Sequence, residues 1–197
     1  MGVMAQAGLI TERALTVARS AAIIGATTSD VEQAAAAVIA QAGATSNFLG
    51  YEGFPATACV SVNEEVVHGI PGTRILADGD VVSIDCGAIV DGWHGDSAVS
   101  FIVGTPASDQ DESLVAQTER ALWAGIAALA TARRLDDVSA AIEDVANEAG
   151  LHPIEGYVGH GIGTAMHQAP DVLNYRARGR SPVVKAGMCL AIEPMFV

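Results

Sequence analysis

The stretch VVSIDCGAIVDGWHGDSAVSFIV, Val81 to Val103, decides the reading of this chain. Two β-branched apolar runs flank Asp91-Gly92, the dipeptide that best marks a tight two-residue hairpin, so antiparallel strands are expected over 81–90 and 93–103. That turn sets Asp85 opposite Ala98, and Asp96 lies two residues along from Ala98 on the same face, a diagonal neighbour within roughly 7–8 Å. Alternation gives the same division independently. Val82, Ile84, Cys86, Ala88 and Val90, with Val99, Phe101 and Val103 across from them, make an apolar face. Ser83, Asp85 and Gly87, with Asp96, Ala98 and Ser100, make the other. Like charges this close raise one carboxyl pKa or recruit a cation, and the small neighbours leave room for one. Two solvated acids on the wet side of an ordinary sheet would look the same, so the hairpin alone leaves both readings open.

The totals narrow the class. A chain of 197 residues fits one domain or two small ones and is long enough for a substantial core. Half of it is apolar, but much of that is helical alanine, and the longest nearly apolar run, Ala121 to Ala132, is too short to cross a bilayer. Glu12 and Arg13 stand where a secretory signal would continue its apolar region, and Gln6 stands where a myristoylation site needs Ser or Thr. A net charge of −13 without a Lys/Arg cluster speaks against a nucleic-acid or anionic-membrane surface. Cys59, Cys86 and Cys189 form no CxxC pair, which suits a reducing cytosol and excludes a thiolate zinc site.

Along the chain, an Ala-rich helix is expected from about Ala5 to Ile24, ending near Gly25. Ser29-Asp30-Val31-Glu32 has the form of a capping box opening a helix that closes at Gly43. The phrase returns: Asp137-Val138 to Ala149-Gly150 repeats the spacing of Asp30-Val31 to Ala42-Gly43, a weak sign of internal duplication. Between 46 and 72 the aromatic and soft residues Phe48, Tyr51, Phe54 and Cys59 sit on Gly/Pro-broken backbone, where either a ligand pocket or a core-plugging loop is built. Helices follow over Ser108–Ala130 and from Asp136, the expected N-cap, to Gly150. In GYVGHGIGTAMHQAP (156–170) the glycine spacing fits no phosphate fingerprint, and His160 and His167 each come from a short extended piece. The last run alternates Met188, Leu190 and Ile192 against Cys189, Ala191 and Glu193, which puts another acid beside small residues.

Two Asp, one Glu and the histidines at 68, 160 and 167 form a carboxylate-rich, thiolate-free set. Such a set suits Mn, Fe(II), Co or Zn, and several acids together favour two ions sharing a bridging ligand. HGIPG at 68–72, IDCGAIVDGWHGD at 84–96, GHGIG followed by MHQAP at 159–170, and AIEPM at 191–195 together resemble the type I methionine aminopeptidases, from about Ser46 onward and in the family's order.

The resemblance implies an α+β pita-bread fold, a curved antiparallel sheet flanked by helices in pseudo-twofold halves, with residues 1–197 as a single, incomplete catalytic domain. It implies a metal-dependent aminopeptidase that removes the N-terminal methionine of nascent proteins and peptides, using a water activated by two divalent ions (Co, Mn, Fe(II) or Zn). Asp85, Asp96, His160 and Glu193 match metal ligands. His68 matches the histidine near the substrate amine and scissile nitrogen, and His167 the one bonded to the scissile carbonyl oxygen. Glu193 is expected to move the proton. Tyr51, Phe54, Cys59 and Met166 match the pocket for the methionine side chain, and a soft apolar slot suits a thioether. His94 has no ligand role and reads as structural or supporting; His152, before Pro153, reads as a surface histidine. A cytoplasmic monomer is expected, with transient ribosome association and neither DNA nor membrane as partner. The family's last bridging Glu lies beyond AIEPM, past Val197, so the expectation is a truncated or fragmentary chain with a weakly held second metal and weak or no activity. The alternatives are a proline-directed aminopeptidase of the same fold, or a non-catalytic binding protein or fragment.

Overall fold

A computed structural model describes residues 2–197, which divide into two compact units. The first runs to Asp111 and includes Gly163–Met166; the second comprises Glu112–Ile162 and His167–Val197.

The first unit is built on the hairpin. Strands β3 (Val81–Val90) and β4 (Trp93–Ile102) pair antiparallel from Val81↔Ile102 to Val90↔Trp93, with Asp85 opposite Ala98 and Gly87 opposite Asp96. Both residues of the turn, Asp91 and Gly92, have positive φ, as a tight primed turn requires. Strand β4 ends one residue earlier than the sequence implied. The other edge of β3 is lined by β2 (Ala58–Val62) and the two-residue β1 (Thr45–Ser46). Val82, Ile84, Cys86 and Ala88 are fully buried, and with Phe101 they pack against Ala14, Ala18, Val31 and Ala35. Each large aliphatic chain so buried is worth about 1.5–3 kcal/mol of transfer free energy. The covering helices are α1 (Gly2–Ala21) and α2 (Thr28–Gln41). Alanines on α1 let it lie against β4 so closely that a Cβ on Gly95 would stand 2.7 Å from the backbone at Ala7 and Gly8.

Helix α1 therefore starts and ends three residues before its expected span, and the Ser29/Glu32 box is corrected. Thr27 is the N-cap: its hydroxyl accepts from Asp30 N, and its N–H donates to Asp30 Oδ2 at 2.8 Å. Glu32 instead accepts a bond from Thr57 N, tying α2 to the loop before β2.

The second unit repeats the plan. Helices α3 (Asp109–Leu129) and α4 (Leu135–Ala149) cover a small sheet of β5 (Gly159–Gly161), β6 (Gln168–Val172) and β7 (Leu190–Ala191), in the order β6-β5-β7. Leu135, Val138, Ile142 and Val172 form its core with Phe196. The expected N-cap Asp136 is corrected: Arg134 caps the helix, and Asp137 Oδ2 accepts from the N–H groups of Arg133 and Arg134. Strand β7 is much shorter than the alternation from 188 to 193 suggested.

The weak repeat has a structural counterpart. Thr27 bridges Ile75 just as Arg134 bridges Val183; α2 and α4 are each followed by a left-handed glycine, Gly43 and Gly150. Ser61 pairs with Ser83 in the first unit, as His160 pairs with Ala191 in the second. Two residues further along the chain from Ser83 and Ala191 stand Asp85, in the middle of β3, and Glu193, past the end of β7.

Candidate metal centre

In the first unit both acids lie where the hairpin register put them, half-buried on one face, with His94, opposite Ile89, on that face too. Gly87 is required there, because a Cβ on it would fall 2.3 Å from Asn47 Nδ2. That buried amide donates to Gly95 O at 2.9 Å, fixing the backbone beside Asp96. Opposite Asp85 on β2 stands Cys59, whose thiol is pushed up to about 12, first by burial and then by the Asp85 and Asp96 carboxylates. Cys86, on the apolar face, is driven up by burial as well. Both stay protonated at neutral pH, so neither offers a thiolate to a metal.

Cys59 packs with Phe48, Phe54 and Met166 into a small apolar cluster separate from the main core, and the Phe48 and Phe54 rings meet edge to face with centroids 6.4 Å apart. The structure thus brings Phe54, Cys59 and Met166 together, with Phe48 of the same loop beside them. Tyr51, in a short 3-10 turn (Tyr51–Gly53), is more exposed. His68 is exposed and has a positive φ, uncommon for a side-chain-bearing residue. The loop is pinned back on β2 immediately after it: Gly69 N donates to Ser61 Oγ and Gly69 O accepts from Val60 N, both at 3.0 Å.

In the second unit His160 is buried on β5. Its glycine neighbours are there for close approach: a Cβ on Gly159 would lie 2.3 Å from Ala191 O, and one on Gly161 would lie 2.5 Å from Ala169 O. A register shift after His160 pairs Gly161 with Gln168, and the rings of His160 and His167 meet edge to face at 4.3 Å. His152 is exposed, as expected.

His160 Nδ1 lies 2.9 Å from Gly161 O, and a carbonyl only accepts, so Nδ1 carries the proton. In the neutral ring Nε2 then presents its lone pair at 3.1 Å from Glu193 Oε1, itself a buried oxygen that no hydrogen-bond donor reaches among the described residues. Two acceptors facing each other at this distance call for a proton or a cation between or beside them. A backbone-oriented imidazole next to a carboxylate is how proteins present ligands to borderline divalent metals, so the residues fit such an ion. Sequence reasoning missed Asn174, fully buried, whose Nδ2 donates to Glu193 O at 2.7 Å. An Asn in a loop carries no sequence signal of what its amide will reach.

The model of metallopeptidase family M24 matches residues 2–197. Methionine aminopeptidase 1 of Mycobacterium tuberculosis is 49% identical, over 98% of this chain and 75% of that protein. The crystal structure of methionine aminopeptidase from Thermotoga maritima superposes with a TM-score of 0.93 at 38% identity, over 99% of this chain and 78% of that one. It thereby shares the pita-bread fold. Prolidase from Pyrococcus furiosus, at 20% identity and a TM-score of 0.83, covers 98% of this chain and 55% of its own and shares the fold alone. The chain belongs to metallopeptidase family M24, and within it stands with the methionine aminopeptidases.

Proposed function

We propose that this chain is a metal-dependent aminopeptidase that removes the N-terminal methionine from peptides and nascent proteins. The observation that carries the reading is the pair His160 Nε2 and Glu193 Oε1, 3.1 Å apart and buried, in a chain nearly half identical to a methionine aminopeptidase. Asp85, Asp96, His160 and Glu193 would hold two divalent ions of the Mn, Fe(II), Co or Zn type, with residues 1–197 belonging to one catalytic domain. When bound, the ions lower the pKa of a water toward neutrality and polarise the scissile carbonyl.

The rest is work for side chains. Phe48, Phe54, Cys59 and Met166 offer a soft apolar slot suited to a thioether, and Tyr51 would close its rim. Keeping Cys59 as a neutral thiol, with a pKa near 12, avoids burying a further anion beside Asp85 and Asp96. His68 would sit near the substrate amine and the scissile nitrogen. His167 would donate a hydrogen bond to the scissile carbonyl oxygen as negative charge develops there. Glu193 would take the proton from the attacking water and pass it to the departing nitrogen. No helix among the described residues is long and apolar enough to cross a membrane; we place the enzyme in the cytoplasm as a monomer that visits the ribosome transiently.

The test is release of methionine from a Met-Gly peptide with Mn(II) or Co(II) added, beside an Ala-Pro peptide. Metal-dependent turnover of Met-Gly and its loss on adding chelator are expected. Preference for Ala-Pro, or failure of the chain to bind either metal, would overturn the assignment.

A further inference from the structure

Glu193 stands two residues beyond the end of its strand. Strand β7 pairs with β5 only through Gly161↔Leu190 and His160↔Ala191, so the ladder stops short of the carboxylate. A side chain takes over from the ladder. Asn174 donates through Nδ2 to the Glu193 carbonyl at 2.7 Å and, more weakly, to the Tyr157 carbonyl at 3.5 Å. Because a carbonyl only accepts, the amide nitrogen must face it and Oδ1 must turn away. Oδ1 is then buried with no hydrogen bond among the described residues. Such an orphaned oxygen works against the fold. An isosteric leucine would exchange that orphan for an unmet Glu193 carbonyl, leaving fold stability little changed but the Glu193 backbone unheld.

We propose that Asn174 is a positioning residue, its amide fixing the Glu193 backbone so that the carboxylate stays opposed to His160 Nε2 and metal binding depends on it. The inference rests on the reading of His160 and Glu193 as metal ligands. It assigns a role to a residue with no ligand atom aimed at the metal, as outer hydrogen-bond partners of ligands commonly have.

The experiment is calorimetric titration of the full chain with Mn(II), with thermal unfolding alongside, for the wild type, Asn174→Leu, the isosteric Asn174→Asp, and Val145→Ala, which thins the core of the same unit from α4. Loss of the amide donor should weaken Mn(II) binding about 10–100-fold in both Asn174 variants, while Val145→Ala lowers the melting temperature and leaves affinity within a few-fold. Unchanged affinity in the Asn174 variants overturns the proposal, as does an equal loss in Val145→Ala, which would mark general destabilisation. If only the leucine variant fails to fold, the aspartate variant decides; if neither folds, the amide is a folding element and the proposal falls. A wild type that binds no Mn(II) defeats the underlying ligand reading and this inference with it, and is recognisable because it appears before any substitution.

Discussion

Asp85 and Glu193 occupy equivalent places in two units of one plan, yet they are held by different means. Asp85 sits mid-strand, paired on one side to Cys59 and on the other to Ala98, so two ladders fix its backbone. Glu193 lies past a two-residue strand and depends on Asn174. Their surroundings differ as well: the chain opposite Asp85 is a thiol kept neutral, whereas the chain facing Glu193 is an imidazole whose Nε2 stands 3.1 Å from the carboxylate. The comparison teaches that a duplicated frame delivers an acid to the same place in each unit, while the neighbours decide its task. The rigid position suits a fixed ligand, and the position outside the ladder suits a group that must also exchange a proton.

The largest expected effect tests that division. Glu193→Gln should lower kcat on a Met-Gly peptide by about 10²–10⁴-fold at any Mn(II) concentration, because a proton acceptor is lost. Asp85→Asn should instead be recovered in part by raising Mn(II), and equal recovery in both variants would erase the distinction. Next, amide hydrogen exchange should show Ile84 to Cys86 protected about 100-fold more than the backbone from Ile192 onward, since local opening there breaks few ladder bonds; similar protection would mean that both acids are equally fixed. Gly87→Ala should cost about 1–3 kcal/mol in denaturant unfolding, because its Cβ would strike the Asn47 amide that holds Gly95. The smallest effect is alkaline. The Cys59 thiol is raised from 9.0 to about 12, so its contribution to stability is complete below about pH 9 and is lost progressively as pH rises from there toward 12. Denaturation at pH 8 and 10.5 should show that decline in the wild type and less of it in Cys59→Ala.

Much of the first unit was legible because the hairpin is local. Asp91-Gly92 sets the register, the register sets the faces, and the observed pairing of Asp85 with Ala98 and Gly87 with Asp96 follows from those two residues. The repeat of Asp30–Gly43 in Asp137–Gly150 was legible as spacing. Both caps were misread by two positions, because Thr27 and Arg134 take their places through antiparallel bridges to Ile75 and Val183 that no local pattern announces. The order of the motif phrases carried the family, and with it the expected roles.

By itself the sequence determined the elements whose causes lie within a few residues: the turn, the alternation and the helical stretches. Tertiary structure decided what depends on contacts between distant segments. Those are the length of β7, the close approach of Gly159 and Gly161 to Ala191 O and Ala169 O, the gathering of Phe48 with Cys59 and Met166, and the reach of Asn174 to Glu193. The physical reason is range. Backbone conformation and side-chain alternation are set by neighbours along the chain, whereas a hydrogen bond or a packing contact is chosen only after folding has brought both partners together and excluded water from between them.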